Sequence, residues 1–284
     1  MTIAVIGSIN IDLFYHTDNH PLMGQTVTGQ SYFIRHGGKG ANQAVMLKRL
    51  YDKVCFLGAV GNDAFSTLAL ENLKTNALKE TDIVIKNTQS GFALIALQNN
   101  DNAITIFDGA NGALNKNDVD RFLNHHHDID YIVLQLEIPM DVVAYIVEKA
   151  NRQSIKVILN PAPAKPLSKK ILDKCTYIIP NETEFETLYG SSTPKEDMII
   201  QHKGRLVVTL GDKGVLYYGD NQVKHAKAHD IEGVDTTGAG DSFIAGFVAM
   251  IGKSASMDEA VENGQKIAAK TCLCEGAQCF KNAA

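Results

Sequence analysis

Residues 235–247 read DTTGAGDSFIAGF and carry more information about the fold than any other part of the chain. Gly238 and Gly240 allow backbone angles and close approaches that a side chain would forbid. The apolar periodicity that follows predicts a helix over residues 239–252. Free N–H groups and the positive end of the helix dipole at its start favour an anion. The stretch therefore predicts an anion site, with Asp241 in the first helical turn placed to accept a proton.

A simpler interpretation of the same residues stays open. Gly and Asp favour turns and helix caps, so residues 238–241 are also typical of a loop that ends in a cap. A second glycine-rich stretch, GGKGANQA at residues 37–44, lies far upstream and also opens a helical pattern. Two such stretches in one chain favour phosphoryl transfer, with the backbone N–H groups of Gly238, Ala239, Gly240 and Asp241 stabilising the phosphoryl oxygens.

Five segments together resemble the ribokinase-like, or PfkB, family of carbohydrate kinases, and its ribokinase branch in particular. GSINID at residues 7–12 is similar to the first strand and turn of the family, and residues 37–44 and 235–241 resemble its two signature motifs. NPAPA at residues 160–164 and PNETE at residues 180–184 resemble internal segments of the ribokinase branch. The resemblance covers nearly the whole chain and implies a mainly parallel, doubly wound sheet with a small β lid over a sugar.

The resemblance also implies an activity. ATP, bound with Mg²⁺, would transfer its γ-phosphoryl group to the terminal hydroxyl of a small sugar, with Asp241 as the base and D-ribose, phosphorylated at its 5-hydroxyl, as the leading acceptor. Deoxyribose, fructose, adenosine and pseudouridine stay open as other acceptors, and so does a non-catalytic sugar-binding protein with this fold. The presence of Asp241 beside an anion site argues against a protein that only binds, because binding needs no base.

By resemblance, the sugar hydroxyls are contacted by Asn10, Asp12, Gly38, Lys39, Asn42, Glu137 and Asp241. Asn10 and Asp12 point the same way if the chain there is extended, since side chains alternate along a strand. Turn chemistry is the alternative for both. Glu137 follows an apolar run, which places it at the carboxyl end of a strand, where open α/β sheets bind ligands.

By resemblance, the nucleotide is bound by Asn181, Thr209, Gly211, Lys213, Gly214, Gly240 and Gln265. Asn181 and Glu184 share a helix face, and the resemblance assigns Glu184 to Mg²⁺ through water. Helix capping is the alternative for Asn181, and an ordinary strand-turn-strand arrangement is the alternative for residues 209–214. The sequence has no P-loop motif and no GxGxxG after the first strand, so P-loop and dinucleotide-binding folds lose their main support.

A monovalent cation is the last element of the resemblance. Asp235 and Thr237 match positions whose backbone binds an activating monovalent cation, usually K⁺, in the ribokinase branch, and Gly276 is assigned to the same site. Phe280 stands where that branch carries a polar residue that completes the cation site. Gln265 likewise stands where a His or Asn is expected near the adenine.

Composition limits the class of protein. The 284 residues, 45% of them hydrophobic, are enough for a packed core, and a net charge of -5 leaves no basic surface for nucleic acid. No apolar run is long enough to cross a membrane and no charged leader precedes the first strand pattern, so we expect a cytoplasmic protein without a membrane partner. No linker or repeat marks a second unit, and residues 1–284 are expected to form one domain.

Strand-like apolar runs alternate with helical patterns, which predicts an α/β fold with parallel strands covered by helices on both faces. Strands are predicted at 2–7, 53–59, 131–136, 156–160, 176–179 and 205–210. Helices are predicted at 39–50, 63–77, 116–125, 140–152, 182–189, 239–252 and 256–273. Residues 13–36 and 89–109 break the pattern, and the second region has a hairpin signal around the polar residues 99–102. By resemblance, these two regions form the lid, and two lids pair into a homodimer.

Two groups of metal-ligating residue types remain. Cys272, Cys274 and Cys279 are crowded together and allow a metal or a redox link, but their spacing matches no familiar zinc pattern, and separate thiols are the favoured interpretation for them and for Cys55 and Cys175. The run of histidines at residues 125–127 lies in a polar stretch without an acidic or Cys motif beside it. An exposed helix end is favoured there over a set of ligands.

Overall fold

The computed structural model of the protein describes residues 1–98 and 101–280. Within them the β-strands are β1 (Thr2–Ile6), β2 (Asn10–His16), β3 (Ser31–Gly37), β4 (Val54–Val60), β5 (Ile83–Ile85), β6 (Gly91–Gln98), β7 (Asp101–Phe107), β8 (Ile129–Leu134), β9 (Lys156–Leu159), β10 (Tyr177–Ile178), β11 (Val208–Thr209), β12 (Val215–Gly219) and β13 (Gln222–Ala226). The α-helices in the same residues are α1 (Lys39–Leu50), α2 (Ala64–Thr75), α3 (Lys116–His125), α4 (Met140–Arg152), α5 (Lys169–Leu172), α6 (Glu182–Tyr189), α7 (Lys195–His202), α8 (Ala239–Gly252) and α9 (Met257–Cys272). Short 3-10 turns lie at Glu80–Asp82, Gly109–Ala113 and Gly211–Lys213.

The central sheet contains six strands in the order β10-β9-β8-β1-β4-β5, and all of its neighbouring pairs are parallel. Side chains alternate across it, so that Ile3 and Val5 of β1 pack on one face while Ala4 and Ile6 pack on the other. Helices α1, α2, α8 and α9 cover the first face, and α3 to α7 cover the second. This arrangement confirms the doubly wound α/β fold.

The order of the strands positions a ligand site. The chain leaves β1 towards β4 on one side and later returns to place β8 on the other side, so the winding direction changes between β1 and β8. Ser8, Glu137 and Asn160 follow the carboxyl ends of β1, β8 and β9 at this point. In open α/β sheets, the crevice at such a switch point is where ligands bind.

A second sheet, which we call the lid sheet, contains four strands in the order β3-β2-β6-β7. It is mixed, because β2 pairs antiparallel with β3 and parallel with β6. Strand β2 begins only a few residues after β1, so the lid sheet rises from the carboxyl edge of the central sheet. The predicted hairpin corresponds to β6 and β7, and residues 99 and 100 of its predicted tip lie outside the described residues.

One predicted strand differs from the expectation. Residues 205–210 were expected to form a strand of the parallel sheet, but only Val208–Thr209 is a strand. It pairs antiparallel with β12 in a three-stranded sheet with β13. Parallel pairing survives as isolated bridges from Ile178 to Leu206 and from Asn181 to Thr209. The β12–β13 hairpin was not predicted. Asp220 and Asn221 join its two strands in a tight turn and have the positive φ angles, 48° and 62°, of such a turn.

The thiols also differ from the favoured interpretation. Cys274 and Cys279 form a disulfide, because the chain turns back over the intervening residues and brings their Cα atoms to 6.0 Å. The interpretation as separate thiols is therefore wrong for this pair, whereas Cys55, Cys175 and Cys272 are buried and free. None of the helices in the described residues combines the length and the apolar character that a membrane span requires.

Candidate active site

Asp241 lies in the first turn of α8 with 7% of its surface exposed. Neutral amides hold its two carboxylate oxygens: Gln43 Nε2 donates to Oδ1 at 2.8 Å, and Asn42 Nδ2 donates to Oδ2 at 3.0 Å. Both donors belong to α1, so the two glycine-rich stretches of the sequence meet at this carboxylate. The amides orient the carboxylate without neutralising it, which suits a group that must accept a proton.

The start of α8 presents unused donors. Ala239 N–H donates to Thr236 O at 3.1 Å and Ser242 N–H donates to Gly238 O at 2.8 Å. Between them, the N–H groups of Gly240 and Asp241 have no acceptor among the described residues. The expected anion site is therefore narrower than the sequence suggested, because Ala239 contributes no free N–H group.

Gly238 and Gly240 are glycines for different structural reasons. Gly238 has φ of 76°, and a Cβ atom there would lie 2.5 Å from the Cα atom of Ala277. A Cβ atom on Gly240 would meet nothing within 4 Å. Packing therefore requires Gly238, whereas Gly240 faces open space beside its own free N–H group, as an anion site requires.

Asp12 and Lys39 carry the strongest electrostatic effects at the site. Burial, reinforced by the charges of Glu137 and Asp241, raises the pKa of Asp12 to about 7. Its carboxylate has room because residue 37, which pairs with Asn10 across the lid sheet, is a glycine: a Cβ atom on Gly37 would lie 2.1 Å from Asp12 Oδ2. The charge of Asp241 raises the pKa of Lys39, and Glu137 and Glu184 add to this effect while burial opposes it.

Three further residues that were predicted to contact the sugar are held in place by their neighbours. Asn10, two residues before Asp12 on β2, accepts a hydrogen bond at 2.7 Å from Asn111 Nδ2. Gly38 caps α1, and Glu137 Oε2 accepts the backbone N–H of the next residue, Lys39, at 3.0 Å. Asn10 and Asp12 thus face the same side of β2, and Glu137 joins the end of β8 to the start of α1.

Sequence analysis missed the amides that organise these groups. Gln43 is fully buried and bonds to Asp241, to Asn160 Oδ1 at 3.1 Å and to Gln135 Nε2 at 2.6 Å. Asn111 accepts from Ile9 N–H at 2.9 Å as well as donating to Asn10. Gln43 and Asn160 lie within segments that the motifs covered, so a signal existed for them, whereas Asn111 lies in a 3-10 turn that no pattern marked.

Asn181 and Glu184 form a capping box at the start of α6. Asn181 Oδ1 accepts from Glu184 N–H at 2.8 Å, and Glu184 Oε2 accepts from Asn181 N–H at 2.9 Å. Burial raises the pKa of Glu184, the hydrogen bond from Asn181 and the charge of Lys39 lower it, and the charge of Asp241 raises it. The helix-capping interpretation of Asn181 is therefore confirmed. The charges of Lys39 and Asp241 both act on Glu184, so Glu184 lies near these two residues.

The other predicted nucleotide residues gather beside this box. Thr209 N–H donates to Pro180 O at 3.0 Å, which connects β11 to the residue before Asn181. Gly211 and Lys213 bound a 3-10 turn, and Gly214 packs against Ala226, where a Cβ atom would lie 2.0 Å from the carbonyl oxygen. The buried side chain of Gln265 donates to that same carbonyl oxygen at 3.1 Å.

The predicted cation residues also come together, around the carboxylate of Asp235. Its oxygens accept from Thr237 N–H at 2.9 Å and from Gly276 N–H at 2.8 Å. Arg35 of β3 lies 3.3 Å from the same carboxylate and pairs with Glu275 at 2.6 Å. Burial alone would raise the pKa of Asp235, but these hydrogen bonds and the guanidinium lower it.

Comparison with known proteins points to one family. The model of the pfkB family of carbohydrate kinases matches residues 1–283. The chain is 36% identical to the ribokinase of Bacillus subtilis over 278 residues, covering 97% of this chain and 94% of that protein. It is 37% identical to the deoxyribokinase of Salmonella typhi over 289 residues, covering 98% and 94%.

Solved structures lead to the same family. The ribokinase of Thermotoga maritima superposes with a TM-score of 0.89 at 32% identity, covering 98% of this chain and 94% of that one. A complex of Arabidopsis thaliana ribokinase with ribose and ATP superposes with a TM-score of 0.86 at 26% identity, covering 97% and 94%. The two glycine-rich stretches that meet at Asp241 lie inside the matched region, and the chain belongs to the pfkB family of carbohydrate kinases.

Proposed function

We propose that the protein transfers the γ-phosphoryl group of ATP to the terminal hydroxyl of a small sugar, with D-ribose, phosphorylated on its 5-hydroxyl, as the leading acceptor. The observation that carries the proposal is the start of α8, where the Asp241 carboxylate stands beside the unused N–H groups of Gly240 and Asp241. Relatives across nearly the full length of the chain, named as ribokinases, support the choice of sugar.

In the proposed mechanism, Asp241 accepts the proton of the sugar hydroxyl as that oxygen attacks the γ-phosphorus. The bond from the γ-phosphorus to the bridging oxygen breaks, ADP leaves, and Asp241 later releases its proton to solvent. The N–H groups of Gly240 and Asp241 stabilise charge on the transferring oxygens, and Lys39 adds a positive charge. The amides of Asn42 and Gln43 keep the carboxylate aimed during the transfer.

Mg²⁺ bound with ATP would neutralise phosphate charge. Glu184 would hold this ion through water. It is a buried carboxylate near Asp241, and within the described residues its Oε1 and Oε2 accept hydrogen bonds only from Asn181. Residues 209–214 and Gln265 would bind the rest of the nucleotide. An oxygen-rich shell with intervening water is what Mg²⁺ prefers.

A K⁺ ion at Asp235, Thr237 and Gly276 would have to bind to main-chain oxygens. The Asp235 carboxylate is already occupied by two backbone N–H groups and by Arg35, so its side chain does not fit a cation ligand. We therefore assign K⁺ no step in the mechanism. Comparing initial rates with K⁺ and with a bulky organic cation tests whether main-chain oxygens there still bind one.

Sugar specificity is proposed to depend on Asn10 and Asp12. Asp12 accepts no hydrogen bond on its carboxylate from the described residues, so it is free to accept sugar hydroxyls. Asn10 already receives one hydrogen bond from Asn111, which leaves its amide N–H groups for the sugar. Deoxyribose is the second candidate acceptor, because the deoxyribokinase of Salmonella typhi is as similar to this chain as the ribokinases are.

The deciding experiment is ADP formation from MgATP with ribose, deoxyribose, fructose, adenosine and pseudouridine in turn. We expect the highest kcat/KM with ribose. A higher value with deoxyribose would keep the mechanism and move the specificity to the second candidate. Absence of turnover with every acceptor would overturn the proposal.

We also propose that two copies pair through the lid sheet. Tyr32 and Ile34 of β3 are 75% and 42% exposed, and Ile104 and Ile106 of β7 are 56% and 54% exposed. Residues two apart on a strand face the same side, so both edges of the lid sheet present apolar side chains to solvent. Exposed apolar groups on sheet edges favour association.

A cytoplasmic location suits a reaction that consumes ATP. The disulfide between Cys274 and Cys279 is unusual for that compartment, where thiols are kept reduced. Alkylation of the protein in intact cells, followed by mass measurement, shows whether the two thiols are free there.

A further inference from the structure

Asp82, His125 and His126 converge at the edge of the central sheet opposite the candidate active site. Asp82 ends the 3-10 turn directly before β5, while His125 ends α3 and His126 caps it before β8 begins. The strands are parallel, so these positions lie at their amino ends, whereas the candidate active site lies at their carboxyl ends. Each of the three residues offers one ligand atom, and these atoms all lie within 4.8 Å of one another.

The Asp82 carboxylate points to a missing partner. Only 8% of Asp82 is exposed, and Oδ1 lies 3.0 Å from His126 Nε2. Oδ2 is buried and has no hydrogen-bond partner among the described residues. Burying a carboxylate oxygen without a partner is costly, so a cation at this position would remove a penalty that the fold otherwise carries.

The surrounding charges leave Asp82 available. A surface cavity of about 690 Å³ adjoins the cluster and is lined by Asp82, Lys86, Asp118, Arg121 and His125 among others. Asp118 pairs with both Lys86 and Arg121, so the two cations of this cavity are already engaged. Within the described residues, the one basic group within 4.0 Å of Asp82 is His126, which is charged only when protonated.

The second imidazole lies next to the first. The rings of His125 and His126 meet edge to face, with centroids 4.9 Å apart. His125 is exposed and His126 is half-buried, so the cluster is open to solvent on one side. A cation entering from the cavity could reach both rings and keep a water molecule in a further position.

We propose that Asp82, His125 and His126 bind a divalent transition-metal ion of the zinc class. Two neutral imidazoles and one carboxylate are ligands that Zn²⁺ favours, whereas Mg²⁺ and Ca²⁺ favour shells made only of oxygen. The bound ion would join the end of α3 to the turn before β5. The site is structural, and it takes no part in the proposed phosphoryl transfer.

The test is zinc binding by the full-length protein after treatment with a chelator and dialysis, followed by isothermal titration with Zn²⁺. Excess Mg²⁺ in the buffer occupies the carboxylates of the candidate active site. We expect one equivalent of Zn²⁺ to bind, and we expect His125→Ala to weaken binding by at least about tenfold. His127→Ala is the matched control and should bind like the unaltered protein, because His127 lies outside the cluster.

Two further measurements sharpen the result. Asp82→Asn and His126→Ala should lose zinc binding as well. If these two variants do not fold, His125→Ala still tests the proposal, because His125 is exposed. Substitution with Co²⁺ should give visible absorption without a thiolate charge-transfer band, which excludes the cysteines as ligands. Lack of zinc binding in the unaltered protein, or equal binding by His125→Ala, would overturn the proposal.

Discussion

At the residue scale, two neutral amides orient the Asp241 carboxylate by donating hydrogen bonds to its two oxygens. Asp241→Asn preserves the shape of the side chain and removes the base. Turnover should fall by about 10²–10⁴ while sugar binding survives. Initial rates of ADP formation, paired with titration of the sugar, measure the two effects separately. A variant with nearly unchanged turnover would show that another group accepts the proton.

Gly238 and Gly240 form a matched pair. Gly238→Ala places a methyl group against Ala277 at a positive φ angle and should lower the melting temperature. Gly240→Ala meets open space, so the melting temperature should hardly change, but the methyl group enters the space proposed for the phosphoryl group and turnover should fall at least about tenfold. Thermal unfolding and initial rates of both variants test this. Equal effects on stability would contradict it.

Asp12 should link stability to pH. Burial, reinforced by the charges of Glu137 and Asp241, raises its pKa to about 7, so the folded protein retains a proton that the unfolded chain releases. This stabilisation is full below about pH 4 and is lost as pH rises through about 7. Asp12→Asn stays neutral and should be more stable than the unaltered protein at pH 8, by about 1–3 kcal/mol, with little difference at pH 4.

Denaturant titrations of both proteins at the two pH values measure that difference. The same substitution should raise KM for the sugar, because an ionised carboxylate is the stronger acceptor for hydroxyl groups. A stability difference that does not change with pH would mean that Asp12 ionises normally in the folded state.

At the scale of elements, Arg35 connects the lid sheet to the loop that leads into α8. It projects from β3, stacks its guanidinium 4.8 Å above the ring of Phe33, and pairs with Asp235 and Glu275. The pairs with Asp235 and Glu275 are partly exposed to solvent, so their worth is about 1 kcal/mol.

Arg35→Ala should therefore lower kcat/KM for the sugar about fivefold through a higher KM, since the lid sheet loses its connection to this loop. Arg35→Lys is the control and should recover part of the loss, because it keeps the charge but not the two-pronged geometry. Steady-state kinetics over a range of sugar concentrations give both constants. An effect confined to kcat would place Arg35 in the chemical step instead.

The same scale shows why some elements were predicted and others were missed. Helices α1, α4 and α8 have the predicted bounds because each has a long apolar face or an apolar surface all round. The pairing of strand β11 was predicted wrongly, because a two-residue strand carries too little sequence pattern to show whether its partner is β10 or β12. Helix α5 is a single turn, which periodicity does not detect.

At the scale of the whole molecule, the proposed dimer can be tested by comparing two exposed isoleucines on different sheets. Ile104 lies on the lid sheet and is 56% exposed, whereas Ile85 lies at the edge of the central sheet and is 64% exposed. Ile104→Asp should shift the protein from dimer to monomer in sedimentation equilibrium, since a charge at an apolar contact is costly. Ile85→Asp should leave the mass unchanged. Dissociation by both variants, or by neither, would exclude pairing through the lid sheet.

The fold class could be predicted from the sequence alone, and so could a candidate base and a candidate anion site, because these depend on periodicity and on residues close together in the chain. The spacing of Gly238, Gly240 and Asp241 specifies a helix start with a carboxylate beside free N–H groups wherever that helix packs. Membership of a kinase family could likewise be inferred from motifs alone, and comparison with known proteins confirmed it.

Which polar groups meet depends on the tertiary structure. Asn42 bonds to Asp241 across 199 residues, and Arg35 reaches Asp235 across 200. Asp82 meets His126 across 44 residues, which turned a histidine run interpreted as an exposed helix end into a candidate metal site. Local pattern specifies which face of an element is buried, but contacts between distant polar side chains depend on how the elements cross, and that is set by packing of the whole core.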